Sequence, residues 1–423
     1  LAGAAHLGQA QPDSLYTARY LERSTKFAWT TLGGDGLALA GGTTEYWRGN
    51  LRQQTAFGPT FIPRLTIGGV HFWGHADFYV SFPLSFLARS ARPAGFAEFS
   101  YRQGIETGAK LYPWKLQPRR LRPFVGISMR LLSFSHQPEG SPYQYAPSYQ
   151  KMIAPVQVGF TYATAKHLLS VAAHYQRLQQ MDYAIAPGQT GRTELAPVSF
   201  QISFLRYWDT DRNMRTSSGI AQANAKHQLL AKEGKLSAWY WGLGPSAGLQ
   251  MSRSEWLQNN YPYLYDDFVG GFMPDVTFGR FFAQPDLNVG VSYRTLGSRL
   301  RGFDTQVRLR RHSFMLEGYK NLFNYLGFVP FVGVTASVEH LRTTVDGRQY
   351  QATKPALGLI FGWDIRVTKT GTNLLRTNLR WAPGLHLNID GQKMMFDNLE
   401  FNFIQWVQFI GRKKVYQRHR ANP

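Results

Sequence analysis

Three arginines, Arg366, Arg376 and Arg380, occupy even positions in the stretch Leu357 to Asn388, where apolar residues hold the odd positions. Leu357, Leu359, Phe361, Trp363, Ile365 and Val367 share one face, and after a connection at Lys369–Thr372 the face resumes with Leu375, Leu379, Trp381, Leu385 and Leu387. Two strands pairing symmetrically about that turn would set Arg366 opposite Arg376, with Arg380 one inward step further along. Like charges directly opposite repel. The arrangement therefore asks for an acidic neighbour, Asp364 or Glu339, or for a bound anion. The first alternative is a salt-bridged wall. The second is an anion-attracting constriction of the kind charged rings provide in pores. An earlier pair of segments repeats the pattern, with Arg102, Lys110, Arg122 and Arg130 on the same face as Glu106.

Other reactive residue types are less well placed. A hydrolase needs a nucleophile and a base within hydrogen-bond reach. His312 and Ser313 are adjacent on a strand and so point to opposite faces, and His136 near Ser133 and Ser135 has the same weakness. No enzymatic activity is expected. His71 and His75 flank Trp73-Gly74, where a turn would part them, and no carboxylate completes a metal set at useful spacing. Neither a metal nor another cofactor is expected. Asp266-Asp267, beside Tyr261, Tyr263 and Tyr265, reads as a polar surface loop with aromatic anchors or as a cation or sugar site. The chain has no cysteine, which excludes disulfides and thiolate chemistry.

The elements that would position these residues are strands. Two-residue alternation recurs over most of the 423 residues, with no linker or change of pattern to mark a boundary. No run of 18 apolar residues occurs, which excludes a spanning helix but not a barrel, where only alternate residues face lipid. Aromatic residues make up 15% of the chain, as the interfacial girdles of a barrel require. The net charge of +21 would point a soluble protein toward nucleic acid. Here the basic residues are spread through the alternating segments, so no nucleic-acid partner is expected. A cationic lumen and contact with anionic headgroups account for them instead.

The pattern predicts an all-β fold, an antiparallel transmembrane β-barrel of about 14–16 strands. Residues 61–411 would form the barrel, 11–60 a cap, plug or first strand, and 412–423 a basic tail. Residues 1–10 read as the remnant of a signal peptide. Connections after Phe72, Pro113, Tyr162, Phe282 and Val367 are short, as periplasmic turns are, and those after Phe86, Phe134, Arg177, Ser252 and His340 are long. This parity requires one strand before the first legible one. It also makes the Asp209–Lys235 connection periplasmic although it is the longest. Ile220, Ala223, His227 and Leu230 within it have helical spacing, with Ser217 or Ser218 as cap. In 303–319 the apolar phase slips near Arg311, as at a bulge.

Gly108-Ala109-Lys110-Leu111-Tyr112-Pro113, followed by Arg122-Pro123-Phe124-Val125-Gly126, resembles a hairpin common in Gram-negative outer-membrane β-barrels, especially of Bacteroidota-type bacteria. The resemblance implies the fold and an outer-membrane location, and no activity. Outer-membrane lipid and lipopolysaccharide are then the expected surroundings. Two functions follow as expectations. One is a porin-like channel for polar or anionic solutes, lined by the arginines. The other is a closed-barrel structural or accessory subunit of a larger outer-membrane complex, meeting protein partners through the 209–235 connection or the N-terminal segment.

Overall fold

The computed structural model describes residues 29–48, 51–209, 217–264, 272–324, 328–366 and 371–421. The expected signal-peptide remnant lies outside these residues, as do Tyr265, Asp266 and Asp267.

The described residues begin with β1 (Trp29–Leu39), the hairpin β2 (Gly42–Arg48) and β3 (Leu51–Phe57), then β4 (Thr60–His71) and β5 (Ala76–Pro83). The two-residue β6 (Arg89–Ser90), β7 (Phe96–Leu111), β8 (Arg120–Pro138), the short β9 (Tyr149–Ile153) and β10 (Val156–Ala163) follow. Next come β11 (His167–Tyr175), the hairpin β12 (Gln180–Ala186) and β13 (Gln189–Leu195), β14 (Val198–Asp209) and helix α1 (Ser217–Lys232). Then β15 (Ala238–Gln250) leads through helix α2 (Glu255–Asn260) to β16 (Phe272–Phe282), β17 (Leu287–Gly302), β18 (Thr305–Asn321), β19 (Phe328–Val345) and β20 (Arg348–Ile365). The wall ends with β21 (Asn373–Trp381), the small hairpin β22 (His386–Ile389) and β23 (Gln392–Met395), β24 (Asn398–Phe409) and helix α3 (Arg412–Ala421).

The long strands close as two rings of eight. In the first the order is β1-β14-β11-β10-β8-β7-β5-β4, and β4 returns to β1 over eleven residue pairs. In the second, β15 to β21 follow in order and β24 joins β21 to β15. All these pairings are antiparallel. The expected all-β, antiparallel architecture and strand number are therefore present, and the single wall over 61–411 is replaced by two. Each hairpin has the same local pairing in one ring of sixteen or two of eight. The difference lies in whether β14 pairs with β1 or with β15, and these contacts join residues far apart in sequence. The first wall strand comes from the segment before residue 60. The helical pattern in 217–232 is α1, which bridges the two rings, and the expected tail at 412–421 is helix α3.

Outside both rings runs an apolar belt, with Val125, Ile127 and Val158 on the first and Leu316, Val334 and Leu359 on the second, each more than half exposed. Above the belt, at the end carrying the longer loops, the second ring inverts. Leu300, Val307, Leu309, Leu341 and Val345 point inward into an apolar cluster, while Arg308, Arg310 and Arg342 point out. This inversion is the phase slip read near Arg311. No bulge is present, since β18 pairs without interruption with β17 and β19. It also explains why 341–356, expected as an external loop, is strand up to the tight turn at Asp346-Gly347. Leu385 and Leu387, expected on the lipid face, are buried in the same cluster, because the chain leaves the wall after Trp381.

Among the described residues the rings meet directly at two heights, and the helices that follow them meet at a third. At the loop end, Tyr145 and Phe303 form a two-way backbone bridge, N to O at 2.7 and 2.9 Å. At belt height, the Phe82 ring meets Phe403 edge-on at 5.7 Å, where β24 is irregular against both neighbours. At the turn end, Lys226 of α1 stands 5.6 Å from the ring of Tyr416 in α3.

Candidate functional site

Inside the first ring the alternation of β4, β5, β7 and β8 turns Arg64, Tyr79, Glu106 and Arg130 inward, all buried. Glu106 accepts hydrogen bonds from Arg64 Nη1 at 2.7 Å, Tyr79 Oη at 2.7 Å and Gln103 Nε2 at 2.6 Å. Arg64 Nε donates to Asp35, which also accepts from Thr66 and from Ser81. Arg130 donates to Gln176 at 3.2 Å and Ser199 at 3.0 Å, and its Nη1 lies 3.8 Å from Glu106. Lys110 faces Asp77 at 3.7 Å.

The second lumen is more densely charged. Arg376 makes a two-pronged contact with Asp364, at 2.7 and 3.0 Å. Arg380 reaches across the ring to Asp275 of β16 at 2.5 Å and Glu317 of β18 at 2.8 Å. Arg311 grips Glu339 at 2.7 and 3.0 Å and also meets Glu400 at 2.9 Å, and Glu400 pairs in turn with Arg294. Burying such charges costs several kcal/mol per ion, a cost offset only where each is paired and hydrogen-bonded. Here the fork of each guanidinium meets carboxylate oxygens, the strongest pairing available to it.

Apolar layers lie above and below each network. Leu37, Leu132, Phe134 and Tyr183 close the loop end of the first ring, and Trp29, Leu116, Phe124 and Leu205 its turn end. In the second ring the inverted cluster, with Trp256 and Leu257 of α2 and Met394 of β23, closes the loop end, and Tyr240, Leu374, Val407 and Phe409 the turn end. Arg412 seals that end further, over the Phe409 ring at 3.9 Å and donating to the carbonyls of Lys235, Leu236 and Gly371.

The expected lumen residues therefore divide. Glu106, Lys110 and Arg130 face the first lumen, while Glu339, Asp364, Arg376 and Arg380 face the second. Arg102 is exposed outside, because a bulge between Gln103 and Glu106 flips the phase of β7. Arg122 sits at the turn end, donating to Lys115 O at 3.2 Å and Gln117 at 3.1 Å. Arg366 lies beyond β20 and does not face Arg376, since the register sets Asp364 opposite Arg376. The expected repulsive pair is an ion pair. Sequence reasoning passed over Asp35, Arg64, Asp275, Arg294, Arg311, Glu317 and Glu400. Each has an inward alternation phase as its signal, and only for Glu400, on the irregular β24, is that phase interrupted by a register shift.

Other candidates separate as strand geometry requires. Ser313 donates to Glu339 at 2.8 Å inside the wall, whereas His312 Nδ1 lies 2.9 Å from Tyr293 Oη outside it. His71 and His75 are split by a turn in which Trp73 is left-handed (φ 58°), and His75 Nδ1 lies 2.9 Å from Tyr112 O. A cleft of about 600 Å³ at the loop ends is lined by Trp47, His136, Tyr143, Tyr145 and Phe303, among others.

No protein-family description and no curated protein matches the chain. Among solved structures it is similar to Neisserial surface protein A, at 15% identity and TM-score 0.30, covering 41% of this chain and 97% of that one. It is similar to Ail of Yersinia pestis at 10% identity and TM-score 0.27, over 41% and 96%. An outer membrane channel of Pseudomonas putida F1 is 8% identical with TM-score 0.23, over 93% and 99%. At such scores no residue role is carried across. The assignment of class comes from the molecule itself. A closed antiparallel wall with an apolar exterior and a paired polar interior leaves no strand edge to hydrocarbon. The fold is that of a transmembrane β-barrel protein, with two eight-stranded barrels in one chain.

Proposed function

We propose that the protein is a closed tandem barrel that serves as a structural or accessory subunit of a larger outer-membrane complex, such as a secretion, insertion or nutrient-uptake machine. One observation carries this reading: each lumen is stacked as apolar layer, charged network, apolar layer. Eight-stranded rings are just wide enough for side chains to fill. Partners would meet the chain through the 209–235 connection, which carries α1, through the N-terminal segment, or through the aromatic cleft at the loop end. The Gly108–Gly126 hairpin supports a Bacteroidota-type origin.

The second reading is a channel for polar or anionic solutes. In its favour is the continuous column of polar side chains between the apolar layers. Conduction would require Arg376 and Arg380 to leave the carboxylates that hold them. Single-channel recording in planar bilayers under a salt gradient separates the two. A silent wild type, with partner proteins co-purifying from mild detergent, supports the closed reading. Steady anion-selective conductance that weakens in Arg376→Ala and Arg380→Ala sinks it.

A further inference from the structure

The outer face of the second ring sets like charges directly opposite each other twice over. Arg310 of β18 faces Arg342 of β19, and Arg308 faces Arg299 of β17. All four side chains are exposed, on three neighbouring strands. The spacing of strands and residues places the four within a patch of about 10 by 7 Å. Among the described residues, the hydrogen-bond partners of Arg308 and Arg342 are the neutral Gln306 and Gln349. Opposed like charges destabilise a sheet unless an anion lies between them.

What lies below the patch identifies the anion. One outward step toward the belt, His312 stands opposite His340, the first hydrogen-bonded to Tyr293 at 2.9 Å and the second to Thr353 at 3.1 Å. One step further down are Phe314 and Val338, exposed by 62% and 53%. Read upward, the wall offers acyl-chain contacts, then a hydrogen-bonding row, then two rows of guanidinium groups. A soluble anion would use only the top of this series, whereas a lipid uses all of it. Guanidinium groups bind phosphate through two parallel hydrogen bonds, and four of them match a headgroup bearing more than one phosphate.

We propose that Arg299, Arg308, Arg310 and Arg342 bind the phosphates of a diphosphorylated glycolipid of the outer leaflet, whose acyl chains lie on Phe314 and Val338. The site rests on the loop end facing outward and is independent of whether the lumens conduct.

The test uses the full chain in detergent micelles, titrated with diphosphoryl lipid A, monophosphoryl lipid A and phosphatidylglycerol, with bound lipid read by native mass spectrometry. The wild type is expected to prefer the diphosphoryl form. Replacing all four arginines by Gln should weaken its binding at least ~tenfold, as loss of several surface cations implies. Replacing them by Lys should weaken it less, and Arg280→Gln, at the turn end of the same ring, should not change it. Unchanged binding in the Gln variant overturns the proposal. So does phosphatidylglycerol binding as tightly as the diphosphoryl form, a wild-type measurement that decides even if the Gln variant fails to fold.

Discussion

Arg380 and Glu317 meet across the interior of the second barrel, Nη2 to Oε1 at 2.8 Å, from strands that are not neighbours in the ring. The same guanidinium holds Asp275. Removing it strands two buried carboxylates. Arg380→Ala should therefore cost about 3–5 kcal/mol, seen as a lower denaturant midpoint in micelles. Combining Arg380→Met with Asp275→Asn and Glu317→Gln should cost less than the single change. A single variant as stable as wild type would show that the network does not brace the wall.

Because each ring closes on itself, residues 233–423 expressed alone should refold in detergent to a barrel whose gel mobility shifts on heating, with a β-type circular dichroism spectrum. Failure of this segment under conditions that refold the full chain would mean that the interface at Phe82 and Phe403 is part of the second barrel's folding unit.

Gly108 faces the first lumen beside Tyr79, whose hydroxyl donates to Glu106. A Cβ at Gly108 would stand 2.6 Å from the Tyr79 hydroxyl oxygen. Gly108→Ala should cost about 1–3 kcal/mol through overpacking, whereas Gly297→Ala, with open space around it, should be close to neutral in the same denaturation assay.

Glu45 lies in the loop-end sheet of β12, β13, β2 and β3. The side-chain hydrogen bond from Arg52, and then the backbone N–H of Arg192, hold its carboxyl below the usual value of 4.5. A carboxyl depressed in the folded state contributes stability that is present above the unfolded value and lost as pH falls through the folded one. Hydrogen exchange of β2 and β13 should therefore speed up below about pH 4.5 while the barrel walls stay protected. Glu45→Gln should show that faster exchange already at neutral pH. Equal protection in the variant would remove Glu45 from the sheet's stability.

Much of this was readable from residue types. The alternation that puts Leu357, Leu359 and Phe361 outside and Asp364 inside requires only a strand and a hydrocarbon surround, both local properties. The parity of long and short connections located a strand before residue 60, and helical spacing located α1. Where lipid gives way to water the rule changes sign, so Leu341, Val345, Leu385 and Leu387 turn inward and the same alphabet was misread there.

The sequence by itself determined that the chain is a set of antiparallel spanning strands with charges on the inner face, because side-chain period and hydrophobicity act residue by residue. Only the tertiary structure decided that β14 returns to β1 rather than continuing to β15, making two narrow barrels in place of one wide one. It also decided that Arg376 meets Asp364 instead of Arg366. Closure and register depend on pairings between distant segments, and a shift of two residues leaves every side chain on its own face while changing the partner of each charge.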